Sequence, residues 1–88
     1  MRASNDQIRK GLGLRIRDLR TQQGFSQRTF CLMIEMDRTY LIAVEHGRRN
    51  IAVDNLTKIA RGLNVSLSDL FAGVDDPVSP ADEEHEPA

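Results

Sequence analysis

The residues with the clearest capacity for chemistry lie near the middle of this sequence. Arg38 and Thr39 are followed, in the same stretch, by Arg48, Arg49 and Asn50. An arginine can donate two parallel hydrogen bonds to a guanine or a phosphate, and a threonine hydroxyl can reach a base edge. This set of donors therefore indicates binding of a polyanion, with a nucleic acid the first candidate.

Catalytic chemistry has much less support. The two histidines, His46 and His85, lie in separate regions, and the single cysteine, Cys31, has no second cysteine nearby. No Ser/His/Asp or Cys/His set, zinc-ligand spacing or glycine-rich phosphate loop can be assembled from the chain. We therefore expect a protein that is not an enzyme and that carries neither a metal nor a cofactor.

The charge distribution fits either a polyanion partner or a mixed surface with a solvating tail. The 88 residues have a net charge of −1, yet residues 1–73 carry +5 and residues 74–88 carry −6. The acidic segment holds all three prolines and has little apolar surface to bury, which is typical of disorder. We predict a flexible N-terminus over 1–7, one folded domain over 8–73 and a disordered acidic tail over 74–88.

Length and composition limit the class of protein further. The chain has the length of one domain, and no apolar run approaches the roughly 20 residues of a membrane span. No apolar signal segment follows the N-terminus, and a single cysteine forms no internal disulfide. We therefore expect a cytoplasmic protein without a membrane partner.

Apolar spacing predicts five short helices and no strand. Ile8, Leu12, Ile16 and Leu19 recur at helical intervals and define the first helix, which Gly24 ends. The later helices follow the same logic. The second runs from the cap Ser26 to Ile34, the third from the cap Asp37 through Arg38–His46 to Gly47, the fourth from near Asp54 to Asn64, and the fifth from the cap Ser66 to Gly73.

The second and third helices are joined by only about three residues. Such a tight turn makes them cross steeply, which is the helix-turn-helix arrangement. Because Leu41 and Val44 face the core, the third helix must present its other face outward. That face carries the predicted base contacts Arg38, Thr39, Ile42 and Ala43.

Polar residues on both sides of this face fit contacts to phosphate. Ser26 and Gln27 begin the second helix, where free backbone N–H groups and the positive end of the helix dipole attract anions. Arg48, Arg49 and Asn50 follow the third helix. A DNA backbone can thus be held from both sides while the helix tip reads bases.

With these residues in place, the stretch Gly11–Phe71 resembles the phage-repressor-like (XRE-type) helix-turn-helix family. The resemblance is carried by Ile16–Arg20, Gly24–Gln27, Asp37–Leu41, Val44–Asn50, Leu56–Ala60, Leu63–Ser66 and Leu70–Phe71. The stretch Asp37–Tyr40, together with Glu45 and Gly47–Asn50, is also similar to the restriction–modification controller proteins within that family.

The resemblance implies a five-helix, repressor-like DNA-binding domain that regulates transcription, commonly as a homodimer on a palindromic operator. By position it places base contacts on Arg38, Thr39 and Ala43, with Ile42 adjacent. It places phosphate contacts on Ser26, Gln27, Tyr40, Arg48 and Asn50, and it implies a structural pair between Arg20 and Glu45. Glu35 departs from the family, which usually has glycine at this turn, so a positive φ there would carry a cost.

Three questions stay open at this point. Leu67, Leu70 and Phe71 either cover the core or form a dimer interface. The same fold also serves protein-interaction modules such as antitoxins or adaptors, and RNA polymerase or another protein is a further candidate partner. The acidic tail, finally, has the charge to fold back on the basic body and compete with DNA.

Overall fold

The computed structural model describes residues 3–75 and contains five helices. They are α1 (Asn5–Gln22), α2 (Gln27–Ile34), α3 (Arg38–Glu45), α4 (Val53–Leu63) and α5 (Leu67–Leu70). Residues 3–75 contain no strand. The prediction of an all-α, five-helix domain is therefore confirmed, whereas the acidic tail lies outside the described residues beyond Asp75.

Side-chain caps begin three of the helices where the sequence predicts them. Ser26, Asp37 and Ser66 each have extended backbone angles and accept a hydrogen bond from the amide three residues later. Each cap gives a partner to a backbone N–H that has none inside its helix. The donors are the amides of Thr29, Tyr40 and Asp69, each 3.0 Å from the capping oxygen.

Two helices begin earlier than the sequence predicts. α1 begins at Asn5, inside the segment 1–7 predicted to be flexible, because Ser4 and Gln7 form a reciprocal capping box. α4 begins at Val53 instead of near Asp54, although Ala52 offers no side-chain cap. The buried face of α4 supplies the stabilisation that the missing cap does not.

The folded region extends slightly beyond the predicted boundary at residue 73. Val74 is only 8% exposed and packs with the core, where its carbonyl lies against Gly11 of α1. A Cβ on Gly11 would come within 3.0 Å of that oxygen. The prediction of disorder from residue 74 is thus wrong at Val74, whose burial depends on a contact distant in sequence.

One apolar core joins all five helices. Its fully buried side chains come from every helix, so no helix is peripheral to the fold. They are Ile16, Phe30, Leu41, Ile59, Leu63 and Leu70. Cys31 is buried beside Phe30, and burial raises the pKa of its thiol, with the carboxylates of Glu45 and Asp37 acting in the same direction.

The turn between α2 and α3 contains a left-handed residue. Glu35 has φ 55° and ψ 51°, and its amide bonds back to the carbonyl of Cys31. A side chain with a Cβ is strained in this region, whereas glycine and asparagine tolerate it. The positive φ that the sequence resemblance suggested at Glu35 is therefore present, and with it the backbone strain of a residue that has a Cβ.

We expect Glu35→Gly and Glu35→Asn to raise the free energy of unfolding, by up to about 1 kcal/mol, because they relieve this strain. Glu35→Ala is the matched control, since it removes the carboxylate and keeps the Cβ. Denaturant unfolding of the three variants would show whether the gain comes from relieved backbone strain or from removal of the charge. An equal gain in the alanine variant would attribute the effect to charge instead of backbone conformation.

Candidate nucleic-acid interface

Contacts at both ends of α3 fix its orientation. Asp37 caps its first turn, and the three residues from Glu35 to Asp37 connect it to α2. At the other end, the ring of His46 lies with Nδ1 2.8 Å from the carbonyl oxygen of Ile42. α3 is only eight residues long, so these end contacts and its packing must stabilise it.

α3 divides sharply into an inner and an outer face. Leu41 and Val44 are 0% and 2% exposed, and they anchor the helix in the core. Arg38 and Thr39 are exposed at the N-terminal tip. Ile42 and Ala43, the other predicted base contacts, are half-buried one turn further along.

A buried ion pair joins α1 to α3 directly behind this face. Arg20 donates from Nε to Glu45 Oε2 at 2.7 Å and from Nη2 to Oε1 at 2.9 Å. Its remaining nitrogen, Nη1, donates to the carbonyl of Phe25 at 2.7 Å. The guanidinium and the carboxylate thus meet in a bidentate arrangement, which fixes distance and angle together.

The same carboxylate also binds α2. Gln27, at the first turn of α2, donates from Nε2 to Glu45 Oε1 at 3.1 Å. The pattern of residue types placed Gln27 at a helix N-terminus facing phosphate, yet gave no sign of this link. Glu45 therefore contacts side chains of both α1 and α2, and Gln27 keeps its backbone N–H and a second side-chain N–H as further donors.

Close backbone contact reinforces the position of α3. Gly13 of α1 lies against the carbonyls of Val44 and Glu45, where an added Cβ would approach to 2.5 Å. A larger residue would push α1 away from the end of α3. Gly13 and the Arg20–Glu45 ion pair together determine the distance between α1 and α3.

Two aromatic contacts order the segment after α3. The Tyr40 hydroxyl accepts a hydrogen bond from Asn55 Nδ2 of α4 at 3.2 Å. The guanidinium of Arg49 lies over the Tyr40 ring, 5.1 Å from its centre, in a cation–π arrangement. Arg49 is thereby held next to α3, while Arg48 and Asn50 are exposed beside it. The role of Asn55 had no signal in the sequence.

The candidate dimer residues separate into different environments. Leu67 is 41% exposed and Phe71 is half-buried, so both can contribute to a surface. Leu70 is 0% exposed and belongs to the monomer core, which removes it from any interface formed by this fold. Leu67 and Leu70 are three positions apart, so their spacing alone does not separate the buried residue from the exposed one. Among residues 3–75, no helix has both the length and the apolar character to span a membrane.

A family model described as a helix-turn-helix matches residues 16–70, which covers most of the folded region. The chain belongs to the helix-turn-helix family HTH_3. The sequence resemblance to the XRE-type domain is thereby confirmed. The helix-turn-helix itself consists of α2, the turn at Glu35 and α3.

Curated relatives narrow the comparison to one branch. This helix-turn-helix chain is 38% identical over 69 residues to the control protein C.MunI of Mycoplasma sp, covering 77% of this chain and 93% of the relative. It is 34% identical over 65 residues to the control protein C.BamHI of Bacillus amyloliquefaciens, covering 73% and 80%. The predicted similarity to restriction–modification controller proteins is confirmed.

Solved structures agree with this assignment. The restriction–modification controller protein C.AhdI of Aeromonas hydrophila superposes with a TM-score of 0.68 at 39% identity, covering 70% of this chain and 94% of that one. The controller protein C.Esp1396I, solved as a tetramer in complex with its natural 35 base-pair operator, gives a TM-score of 0.69 at 27% identity. The match covers 76% of this chain and 88% of that one.

We expect Arg20→Ala to lower the free energy of unfolding by about 3–5 kcal/mol, since it leaves the Glu45 carboxylate buried without its partner. Glu45→Ala should cost a similar amount, and the double variant should cost clearly less than the two single losses together. Chemical denaturation of the three variants measures this coupling.

The exposed pair between Arg9 and Asp6 provides the matched control. Arg9→Ala should cost no more than about 1 kcal/mol, because solvent screens an exposed pair. Equal losses at Arg9 and Arg20 would show that burial of the Arg20–Glu45 pair has no energetic importance.

Proposed function

We propose that this chain is a sequence-specific DNA-binding transcription regulator that acts as a homodimer on a palindromic operator. The observation that carries the proposal is the exposed tip of α3, which is held rigidly between two groups of phosphate-binding donors. Support comes from the relatives, which are named control proteins, and from C.Esp1396I, whose structure contains its operator. The proposal includes a cytoplasmic location and a role in DNA binding without catalysis.

Base recognition is assigned to the outer face of α3. Arg38 and Thr39 project from the tip, where an arginine can bind guanine O6 and N7 and a threonine can reach a neighbouring base. Ile42 and Ala43 lie one turn further along α3, and we assign to them apolar contacts with a thymine methyl group. The dimensions of a major groove accommodate one α-helix in this orientation.

Phosphate binding is assigned to the two sides of α3. On one side are Ser26 and the backbone of Gln27, at the positive end of the α2 dipole. On the other side are Tyr40, Arg48, Arg49 and Asn50. Among these, Tyr40 contacts Arg49 and also Asn55 of α4. The phosphate contacts set the position of the domain on the duplex and carry no sequence information of their own.

A homodimer gives this small domain enough contacts for a specific site. Two copies related by a two-fold axis would place their α3 helices in successive major grooves, about 34 Å apart. Leu67 and Phe71 are the proposed contacts between copies, because α5 presents them at the surface next to the core. RNA polymerase, or another protein, remains a candidate further partner of the DNA-bound dimer.

Selection from a pool of random duplexes at two salt concentrations tests the proposed function directly. A palindromic motif with half-sites about one helical turn apart would support a dimeric sequence reader and supply its operator. Weak, salt-sensitive binding without an enriched motif would overturn the proposal. It would favour a protein-interaction module built on the same fold.

We expect Arg38→Ala to weaken binding to the selected operator by about 1–3 kcal/mol and to relax the preference at one base pair of each half-site. The reason is the loss of a bidentate contact to one base. Repeating the selection with the variant measures the change in preference. An equal loss of affinity on every duplex would assign Arg38 to the backbone instead.

Arg48→Ala should behave differently from Arg38→Ala. We expect affinity to fall by the same factor on operator and unrelated DNA, and the slope of log K against log salt to flatten by about one unit for each copy bound. Titrations over a range of salt concentrations measure the slope. An unchanged slope would contradict the phosphate role of Arg48.

Leu67→Asp should weaken the dimer and, with it, binding to the full palindrome, because a carboxylate would be buried between the two copies. Val53→Asp is the matched control, since Val53 is 68% exposed at the start of α4. Sedimentation analysis at several protein concentrations measures both. Equal behaviour of the two variants would place the interface away from α5.

A further inference from the structure

A polar cleft of about 510 Å³ lies at the junction of α1, α2 and α3, beside the helix tip that is proposed to read bases. This volume lies in the range of small-molecule binding sites. The walls include Arg17 of α1, Ser26 and Gln27 at the start of α2, and Arg38 of α3. Arg17 has no place in the interface derived above.

The charges around the cleft favour an anion. Arg17 and Arg38 are both exposed, and neither forms an ion pair with another residue of the range 3–75. The N-terminus of α2 adds the partial positive charge of a helix dipole. A phosphate oxygen entering between these groups would meet two guanidinium groups and a helix end.

The acidic group in the cleft does not oppose this reading. Glu45 lines the cleft, but both of its oxygens already accept hydrogen bonds from Arg20, and Oε1 accepts one more from Gln27. Its charge is thus neutralised by a buried guanidinium. His46 also lines the cleft, and its Nδ1 lies 2.8 Å from the carbonyl oxygen of Ile42.

The location of the cleft points to DNA as the source of the phosphate. Arg38 belongs both to the cleft and to the tip of α3, so a group bound in the cleft lies at the edge of the groove that α3 would enter. The strand bordering that groove passes this position as a row of phosphates. Arg17 lies one turn before Arg20 on α1, so the buried ion pair that fixes α1 also fixes the wall from which Arg17 extends.

We propose that this cleft holds one phosphate of the DNA backbone and that Arg17 of α1 is a ligand of that phosphate. The proposal rests on the proposed function, and it extends the interface from the helix-turn-helix to the first helix. It makes Arg17 a positioning contact, which contributes affinity and register without reading sequence.

The test is DNA binding by Arg17→Gln, measured by fluorescence anisotropy on the selected operator and on a scrambled duplex over a series of salt concentrations. We expect the slope of log K against log salt to flatten by about 0.9 for each copy bound, which is about 1.8 for the homodimer and makes both duplexes bind about 60-fold more weakly at about 0.1 M salt. Arg61→Gln is the matched control, because Arg61 is an exposed arginine of α4 outside this cleft. It should leave both quantities unchanged.

Duplexes that carry one neutral methylphosphonate in place of a single phosphate locate the contact. One position in each half-site should weaken binding of the original chain and have no further effect on Arg17→Gln. Additive losses at every position would overturn the assignment. Arg17 is exposed, so its replacement should change the free energy of unfolding by less than about 0.5 kcal/mol.

A third measurement separates DNA phosphate from free phosphate. Amide NMR shifts are followed with inorganic phosphate alone, at constant ionic strength, for the original chain and for Arg17→Gln. Saturable binding that Arg17→Gln abolishes, together with an unchanged DNA salt slope, would make the cleft a free-phosphate site and overturn the DNA contact. If the original chain binds no DNA, the proposed function fails too; if it binds DNA and Arg17→Gln binds identically, only this inference fails.

Discussion

The buried pair between Arg20 and Glu45 is the interaction on which the rest of the interface depends. It joins α1 to α3 through two hydrogen bonds, and the same carboxylate receives Gln27 from α2. Burial of two charges costs free energy through desolvation, and a buried pair often contributes little net stability compared with apolar residues. Its value here is geometric, because a bidentate pair permits only one relative placement of the helices.

Every side-chain nitrogen in this network has a hydrogen-bond partner. The third nitrogen of Arg20 reaches the Phe25 carbonyl, and among residues 3–75 no buried side-chain nitrogen or oxygen lacks a hydrogen bond. A partly satisfied network in a core this small would be costly. These contacts help two eight-residue helices, each too short to be stable alone, to hold the exposed face of α3 in one orientation.

The features that were predictable from the sequence are those set by neighbours along the chain. Helical spacing of apolar residues and the caps Ser26, Asp37 and Ser66 were sufficient to place five helices. The start of α1 was not predictable from apolar spacing, because no apolar residue of the repeat precedes Ile8. The start of α4 was not predictable from a cap, because Ala52 has no capping side chain. Local signals are therefore reliable for the existence of a helix and weaker for its first residue.

Contacts between distant residues could not be predicted in the same way. The burial of Val74 depends on Gly11, and the cleft beside Arg17 exists only where three helices meet. Leu70 was a candidate for the surface because a four-residue helix gives too little pattern to separate its inner and outer sides. The pairing of Arg20 with Glu45 was expected only from the resemblance, since the two residues are 25 positions apart.

The separation of α3 into an anchored side and an unanchored side has an evolutionary consequence. Arg38 and Thr39, the proposed base contacts, lie outside the core, so substitutions there carry no large penalty in folding. Arg20 and Glu45 are in the opposite situation, because a change in either one leaves the other charge buried and any joint replacement must pass through a weakened intermediate. In duplicated copies of such a protein, we therefore expect exposed residues of α3 to change one at a time, while the buried pair of Arg20 and Glu45 stays the same.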